Sequence, residues 1–213
     1  MSLAVCIAVT LPDNLQAVVR VTPESIKLQG GALSVDFANS VDWDADEREI
    51  AATDALLEPD SLDRWGVRLG VAGRPGGAEE LELARGLRSA LHHIFSALAR
   101  DEEPDQFSLA RLRFAYAQAV AAGSLVRRED EAFGLVWRED EPRRVRFAVA
   151  ADAVALLSDP ARIARLHRCP GRDCGWVFLD TSGRRRWCSM ATCGSREKMR
   201  RMYARKRAAE HGA

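Results

Sequence analysis

The clearest apolar rhythm in the chain runs from Ala78 to Arg100, where Leu83, Leu87, Leu91, Ile94, Phe95 and Leu98 recur at close to helical spacing. Residues so spaced share one face of a helix, and the pattern predicts a helix that buries that face. The preceding stretch 70–77 (GVAGRPGG) breaks helical structure and sets this segment apart from a shorter helical pattern over 57–69. A further helix is expected over 107–122, after Pro104 and stopped by Gly123. Period-two alternation is found in Ala32 to Phe37 (ALSVDF), between Gly30-Gly31 and Asn39-Ser40, and predicts a strand entering a turn. Two short strand candidates, 125–128 and 133–138, flank an acidic turn and are expected to pair as a hairpin. The Ala- and Val-rich stretch 145–157 is compatible with strand or helix. A helix is favoured, ending before Asp159-Pro160, because proline disfavours helical backbone in the residue before it. Pro160 is the expected boundary, with a mixed helix and strand body over 1–160 and a small unit over 161–213. The fold class is α+β.

One further apolar run, Leu3 to Leu11 (LAVCIAVTL), lacks the basic flank and small-residue cleavage site of a signal peptide, and nine residues cannot span a bilayer. It reads as a buried strand or a misplaced start. Nothing else approaches the roughly 18 apolar residues of a membrane helix, so a cytoplasmic protein without membrane association is expected.

Composition adds little until it is divided along the chain. The 213 residues are 47% apolar and 29% charged with zero net charge, as in ordinary globular proteins. Residues 161–213, however, carry fourteen Arg and Lys against four acids, an excess of ten positive charges. Residues 1–160 hold the compensating excess of ten negative ones. A basic unit attached to an acidic body points to an anionic partner for the former, and the body could shield that unit when nothing is bound.

Four of the five cysteines lie in that basic unit: Cys169, Cys174, Cys188 and Cys193, spaced C-x4-C, thirteen residues, C-x4-C, with Cys6 apart. Two such pairs brought together can complete the tetrahedral shell of one Zn²⁺, with no open position for substrate, so the expected role is structural. A pair of disulfides, or free buried thiols, is the alternative, disfavoured in a cytosolic chain. His167 is expected to be a surface residue beside the site, and of His92 and His93 one is expected packed and one exposed.

Between the cysteine pairs, Gly175–Asp180 and Thr181–Trp187 read as strand, basic turn, strand. Trp176, Phe178 and Trp187 are expected to form the small core that a metal module needs; the alternative is one tryptophan exposed for base stacking. After Cys193, Ser195 is a candidate N-cap and Glu197 suits the positive end of the helix dipole. Met199, Met202 and Tyr203 make an apolar stripe expected to pack on the module. Arg184, Arg185 and Arg186 of the turn, with Arg196, Lys198, Arg200, Arg201 and Arg205 of the helix, form a candidate nucleic-acid interface, since guanidinium groups clasp phosphate bidentately. A solvated basic tail, or a face docking an acidic partner, is the other reading.

The stretch CGWVFLDTS…RRRWCSMATCGSREK resembles the CGNR zinc-finger family of bacterial proteins, its tetrad matched here by Cys193-Gly194-Ser195-Arg196, with serine where the family has asparagine. The basic turn is also shorter than is usual in that family. Upstream, LSVDFANS (33–40) is similar to the opening of the ABATE domain that accompanies this finger, described as a stress-induced transcription regulator. The resemblance implies an N-terminal α/β domain, a treble-clef-like finger with one structural zinc, and regulation through nucleic acid, DNA ahead of RNA. A single module covers on the order of 600–1,000 Å² of DNA, so specificity calls for a homodimer or a second DNA-binding partner.

Asp36, Asn39, Asp42 and Trp43 cluster after the first expected strand, where they are candidates either for a pocket taking a small-molecule effector or for turn formation. Motifs of dinucleotide, P-loop, metalloprotease and α/β-hydrolase enzymes do not occur, and no enzymatic activity is expected.

Overall fold

In the computed structural model, which describes residues 21–211 apart from 72, 128 and 130, the segment ALSVDF forms a helix rather than the expected strand: α1 spans Leu33–Ala38. Six residues are too few for alternation and helical periodicity to be told apart, and capping decides. The backbone N–H of Ser34 donates to Asp152 Oδ2 at 2.8 Å, satisfying one of the amides a helix start leaves orphaned. Val35, Phe37 and Ala38 are buried, and Phe37 meets Trp65 edge-on with ring centroids 5.1 Å apart. The run at 3–11 lies outside the described residues.

A two-residue ribbon follows, β1 (Asp42–Trp43) against β2 (Glu49–Ile50). Then come α2 (Ser61–Arg68), α3 (Gly77–Leu98) and α4 (Gln106–Ala122). The hairpin β3 (Ser124–Arg127) and β4 (Phe133–Val136) pairs Leu125 with Leu135, as expected. After it stand α5 (Arg144–Leu157) and α6 (Pro160–Ile163), the latter with Asp159 accepting the Ala161 N–H at 2.9 Å. Strands β5 (Leu166–Arg168) and β6 (Val177–Leu179) form a third antiparallel ribbon, and α7 (Ser195–His211) ends the chain.

The core gathers where α1, α3 and α5 pack together, with α4 on the far side of α3 and α5. On α3, Leu87, Leu91, Ile94 and Phe95 of the expected face are buried and Leu98 is half-buried, but Leu83 is 42% exposed, and Leu81 and Ala84 complete the buried face instead. Helix α5 is buried on most of its circumference, which is why its sequence shows no polar face from which to judge its type. The small units add to the same core: Leu166, Val177 and Leu179 of the third ribbon are buried together with α1 and α3.

Two fully buried arginines fix the frame. Arg88 of α3 donates to both oxygens of Asp54, at 2.6 and 3.0 Å, and to Glu49 at 2.9 Å, tying the first ribbon to the bundle. Arg146 of α5 forks onto Glu80 at 2.7 and 2.9 Å and reaches Gln118 of α4 at 2.8 Å. Buried charge is tolerable because each guanidinium meets a carboxylate in bidentate geometry. No helix among the described residues is long and apolar enough to cross a membrane.

A candidate metal centre and its basic arm

The third ribbon turns between its strands through Cys169 and Cys174, while Cys188 precedes, and Cys193 lies within, a single π-helical turn (Met190–Gly194) that runs straight into α7. The four sulfurs are brought within 4.8 Å of one another. Cys174 and Cys188 Sγ stand 3.8 Å apart, and Cys188 and Cys193 Sγ 3.5 Å apart. A tetrahedron of sulfurs about 2.3 Å from one ion has edges of roughly 3.8 Å, whereas a disulfide needs about 2.05 Å; all four cysteines are free. The donor set therefore fits a tetrahedral thiophilic cation. Gly171 lies so close that a Cβ there would sit 3.1 Å from the Cys174 Cβ and 3.2 Å from the Cys193 sulfur.

Hydrogen bonds from Cys174 and Cys188 favour the thiolate at Cys169, and its presence pushes the Cys174 and Cys188 thiols far up. Four thiolates so close are compatible only with a multiply charged ion among them. Around the cysteines pack buried Phe178 and half-buried Trp176 and Trp187. His167 is exposed beside Phe178, as expected.

The ribbon is not a free-standing module. The Val177 N–H and C=O face away from β5 and are taken up by buried Asn39: Nδ2 donates to the Val177 oxygen at 2.7 Å, and Oδ1 accepts the Val177 N–H at 3.2 Å. The Leu179 N–H donates to the Gly30 oxygen at 2.7 Å. Gly30 and Asn39 thus close the open edge of β6. At the cysteine turn, the Gly175 N–H donates to the Trp43 oxygen at 2.9 Å, and His92 Nε2 donates to the Gly175 oxygen at 2.7 Å. A Cβ on Gly175 would meet both the Trp43 Cβ and the Asp44 oxygen at 2.6 Å, so only glycine admits this approach. His92 stacks on Trp43, centroids 3.7 Å apart, and burial pushes its imidazole down to about 3. It is the packed histidine of the pair; His93 is half-buried.

This arrangement revises the expected pocket at Asp36, Asn39 and Trp43. Asn39 and Trp43 are buried and committed to contacts with the finger, and the Trp43 indole donates to the Ala38 oxygen at 2.8 Å. Asp36 accepts the Gly30 N–H at 2.7 Å; burial pushes its carboxyl up to about 6, against that hydrogen bond and the charges of Arg185 and Arg68. Asp42 and Trp43 of this group border a cavity. The Asn39, His92 and Gly175 contacts leave no local pattern in the chain, because they join residues 83 to 138 positions apart.

The basic turn is likewise more committed than expected. Asp180 accepts from the Ser182 N–H and hydroxyl, the Gly183 N–H and the Arg185 N–H at 2.8–3.0 Å, and these bonds outweigh burial to hold its carboxyl down at about 2. This cage holds the expected basic turn, and the strand expected after it, within 181–187, does not form. Arg185 folds inward, its guanidinium 4.5 Å from the Phe178 ring and bonded to the carbonyls of Gln29 and Cys188, so it is a structural residue rather than a free phosphate ligand. Arg184 and Arg186 remain exposed.

Ser195 is not an N-cap. It has helical backbone angles (φ −66°, ψ −42°), and its hydroxyl donates to the Met190 oxygen at 3.1 Å, closing the preceding turn. Nor do Met199, Met202 and Tyr203 pack on the module; they are 46%, 52% and 54% exposed. Beyond its first turn α7 stands clear as an arm about 20 Å long. Arg196, Lys198 and Arg205 are exposed on it, and Arg200 and Arg201 share Glu197 at 3.0 and 2.9 Å.

Residues 165–206 match the CGNR zinc finger, and residues 31–160, more than half of the chain, match ABATE, described as "Putative stress-induced transcription regulator". No curated protein matches the chain.

Proposed function

We propose that this chain, which belongs to the ABATE family and ends in a CGNR zinc finger, is a transcription regulator that holds one structural zinc ion and grips nucleic acid, DNA ahead of RNA, with its basic arm. The observation that carries the reading is the projection of α7 into solvent with its cations displayed along it. An α-helix of this width enters the major groove of DNA, and exposed arginines bond phosphates and guanine edges there. Arg184 and Arg186 extend the same charge to the neighbouring turn.

Zinc bound by Cys169, Cys174, Cys188 and Cys193 would cross-link the ribbon to the base of the arm. The four sulfurs, satisfying a tetrahedral ion completely, leave no position for a reacting water, which supports a binding protein over a catalyst. The residues themselves set the aim of the arm: the Ser195 bond to Met190 fixes its first turn, and the Asn39 clasp on Val177 fixes the ribbon that carries it. Cytoplasmic location and a homodimer that pairs two arms on adjacent half-sites complete the reading.

A second reading draws on the exposed Met199, Met202 and Tyr203 stripe. An amphipathic helix with anchors so spaced also suits an apolar groove on another protein. Fluorescence anisotropy of the zinc-loaded chain on labelled duplex DNA separates the two. Binding that weakens steeply with salt supports the first reading, and no binding at low salt removes it.

A further inference from the structure

A cavity of about 380 Å³ opens in the seam between body and finger. Ile26, Trp43 and Ile50 line it from the body, and Trp176, Arg196 and the metal-site residues Cys174, Cys188 and Cys193 from the finger. Its size falls within the range of small-molecule sites, and like them it has apolar walls with a few polar groups.

The charges at the wall are unequal in what they already do. Asp42 Oδ1 accepts the Trp176 indole N–H at 2.6 Å, so its charge is partly satisfied. Arg196 and Lys27 border the same space and make no ion pair among the described residues; Asp173, also at the wall, is exposed. Two cations thus border a cavity walled by two indoles, with one carboxylate open to water. We propose that the cavity binds a small molecule with a flat apolar body and an anionic group for Arg196.

The position gives such a molecule a consequence. It would touch Trp43 and Asp42 of the body, Trp176 beside the metal centre, and Arg196 in the first turn of the arm. A ligand carboxylate held by Arg196 would compete with phosphate for the same guanidinium. That consequence rests on the nucleic-acid reading, whereas ligand binding does not and is measured without nucleic acid.

The test is calorimetric titration of the full-length, zinc-loaded chain with naphthalene-2-carboxylate as probe and neutral 2-naphthamide as control. One probe per chain is expected, with the acid about tenfold tighter than the amide. Arg196→Gln should weaken the acid about tenfold and leave the amide unchanged. Ile50→Trp, placed at a partly exposed position on the wall, should fill the space and abolish both. No saturable binding of the acid, equal affinity for acid and amide, or an unchanged acid affinity in Arg196→Gln each overturns the proposal. Arg196 is on the surface, so that variant keeps the test decisive even if Ile50→Trp fails to fold.

Discussion

Replacing Asn39 by leucine removes the two hydrogen bonds by which the body closes the outer edge of β6. Asn39 is fully buried and 138 residues from Val177, whose N–H and C=O it satisfies. Leucine is close in volume, so cavity formation contributes little. The loss comes from two backbone groups stranded away from water, at about 1–3 kcal/mol each, or roughly 2–6 kcal/mol together. Against a total stability of about 5–15 kcal/mol this is severe. With a urea dependence of about 2 kcal/mol per M, the unfolding midpoint of the zinc-loaded protein should fall by roughly 1–3 M. Asn39→Asp separates hydrogen bonding from shape: at pH 7 its carboxylate faces the Val177 carbonyl and cannot donate, and acidification, by restoring a donor, should recover part of the loss relative to leucine. A midpoint shift in Asn39→Leu worth less than about 0.5 kcal/mol would refute the view that these bonds hold finger to body.

Gly175→Ala should destabilise the chain by about 1–3 kcal/mol, because the new methyl meets the Asp44 carbonyl and Trp43 Cβ at 2.6 Å; unchanged thermal unfolding would show that the approach is looser than described. Two buried groups give opposing pH effects. His92, lowered to about 3, contributes stability that is complete above the unfolded value near 6.5 and is lost as pH falls toward 3; Asp36, raised to about 6, contributes stability that is complete below about 3.9 and lost as pH rises through 6. Between pH 6 and 4 these two slopes oppose each other, so Asp36→Asn should lose stability with acid more steeply than wild type, by up to about 1.4 kcal/mol per pH unit; equal slopes for the two in urea titrations would contradict this. Cys188→Ser should abolish stoichiometric zinc by metal analysis and disorder the ribbon, and retention of one zinc per chain would remove Cys188 from the ligand set.

How far the sequence could be read depended on the range of the interactions involved. The cysteine quartet was legible because metal ligands announce themselves by residue type and spacing, and α3 because its buried face repeats over six turns. Segment 33–38 was misread because six residues carry either period and the deciding contact, Asp152, lies 118 residues away. The strand expected after the basic turn, within 181–187, fails for a local reason, Asp180 caging four donors, that a turn rich in Ser and Gly does not disclose. The stripe at Met199, Met202 and Tyr203 has the spacing of a packed face, yet the helix leaves the module before anything can cover it. Periodicity states which residues share a face and not what that face meets.

The most direct measurement is the salt dependence of DNA binding by the zinc-loaded chain and by the Lys198→Gln, Arg205→Gln double variant, both exposed positions. If Arg184, Arg186, Arg196, Lys198 and Arg205 each neutralise one phosphate, affinity should fall roughly 500-fold between 50 and 200 mM salt, and only about 40-fold in the double variant, whose logarithmic slope loses about two contacts' worth. Identical slopes for the two proteins, or affinity indifferent to salt, would contradict a nucleic-acid grip by the arm.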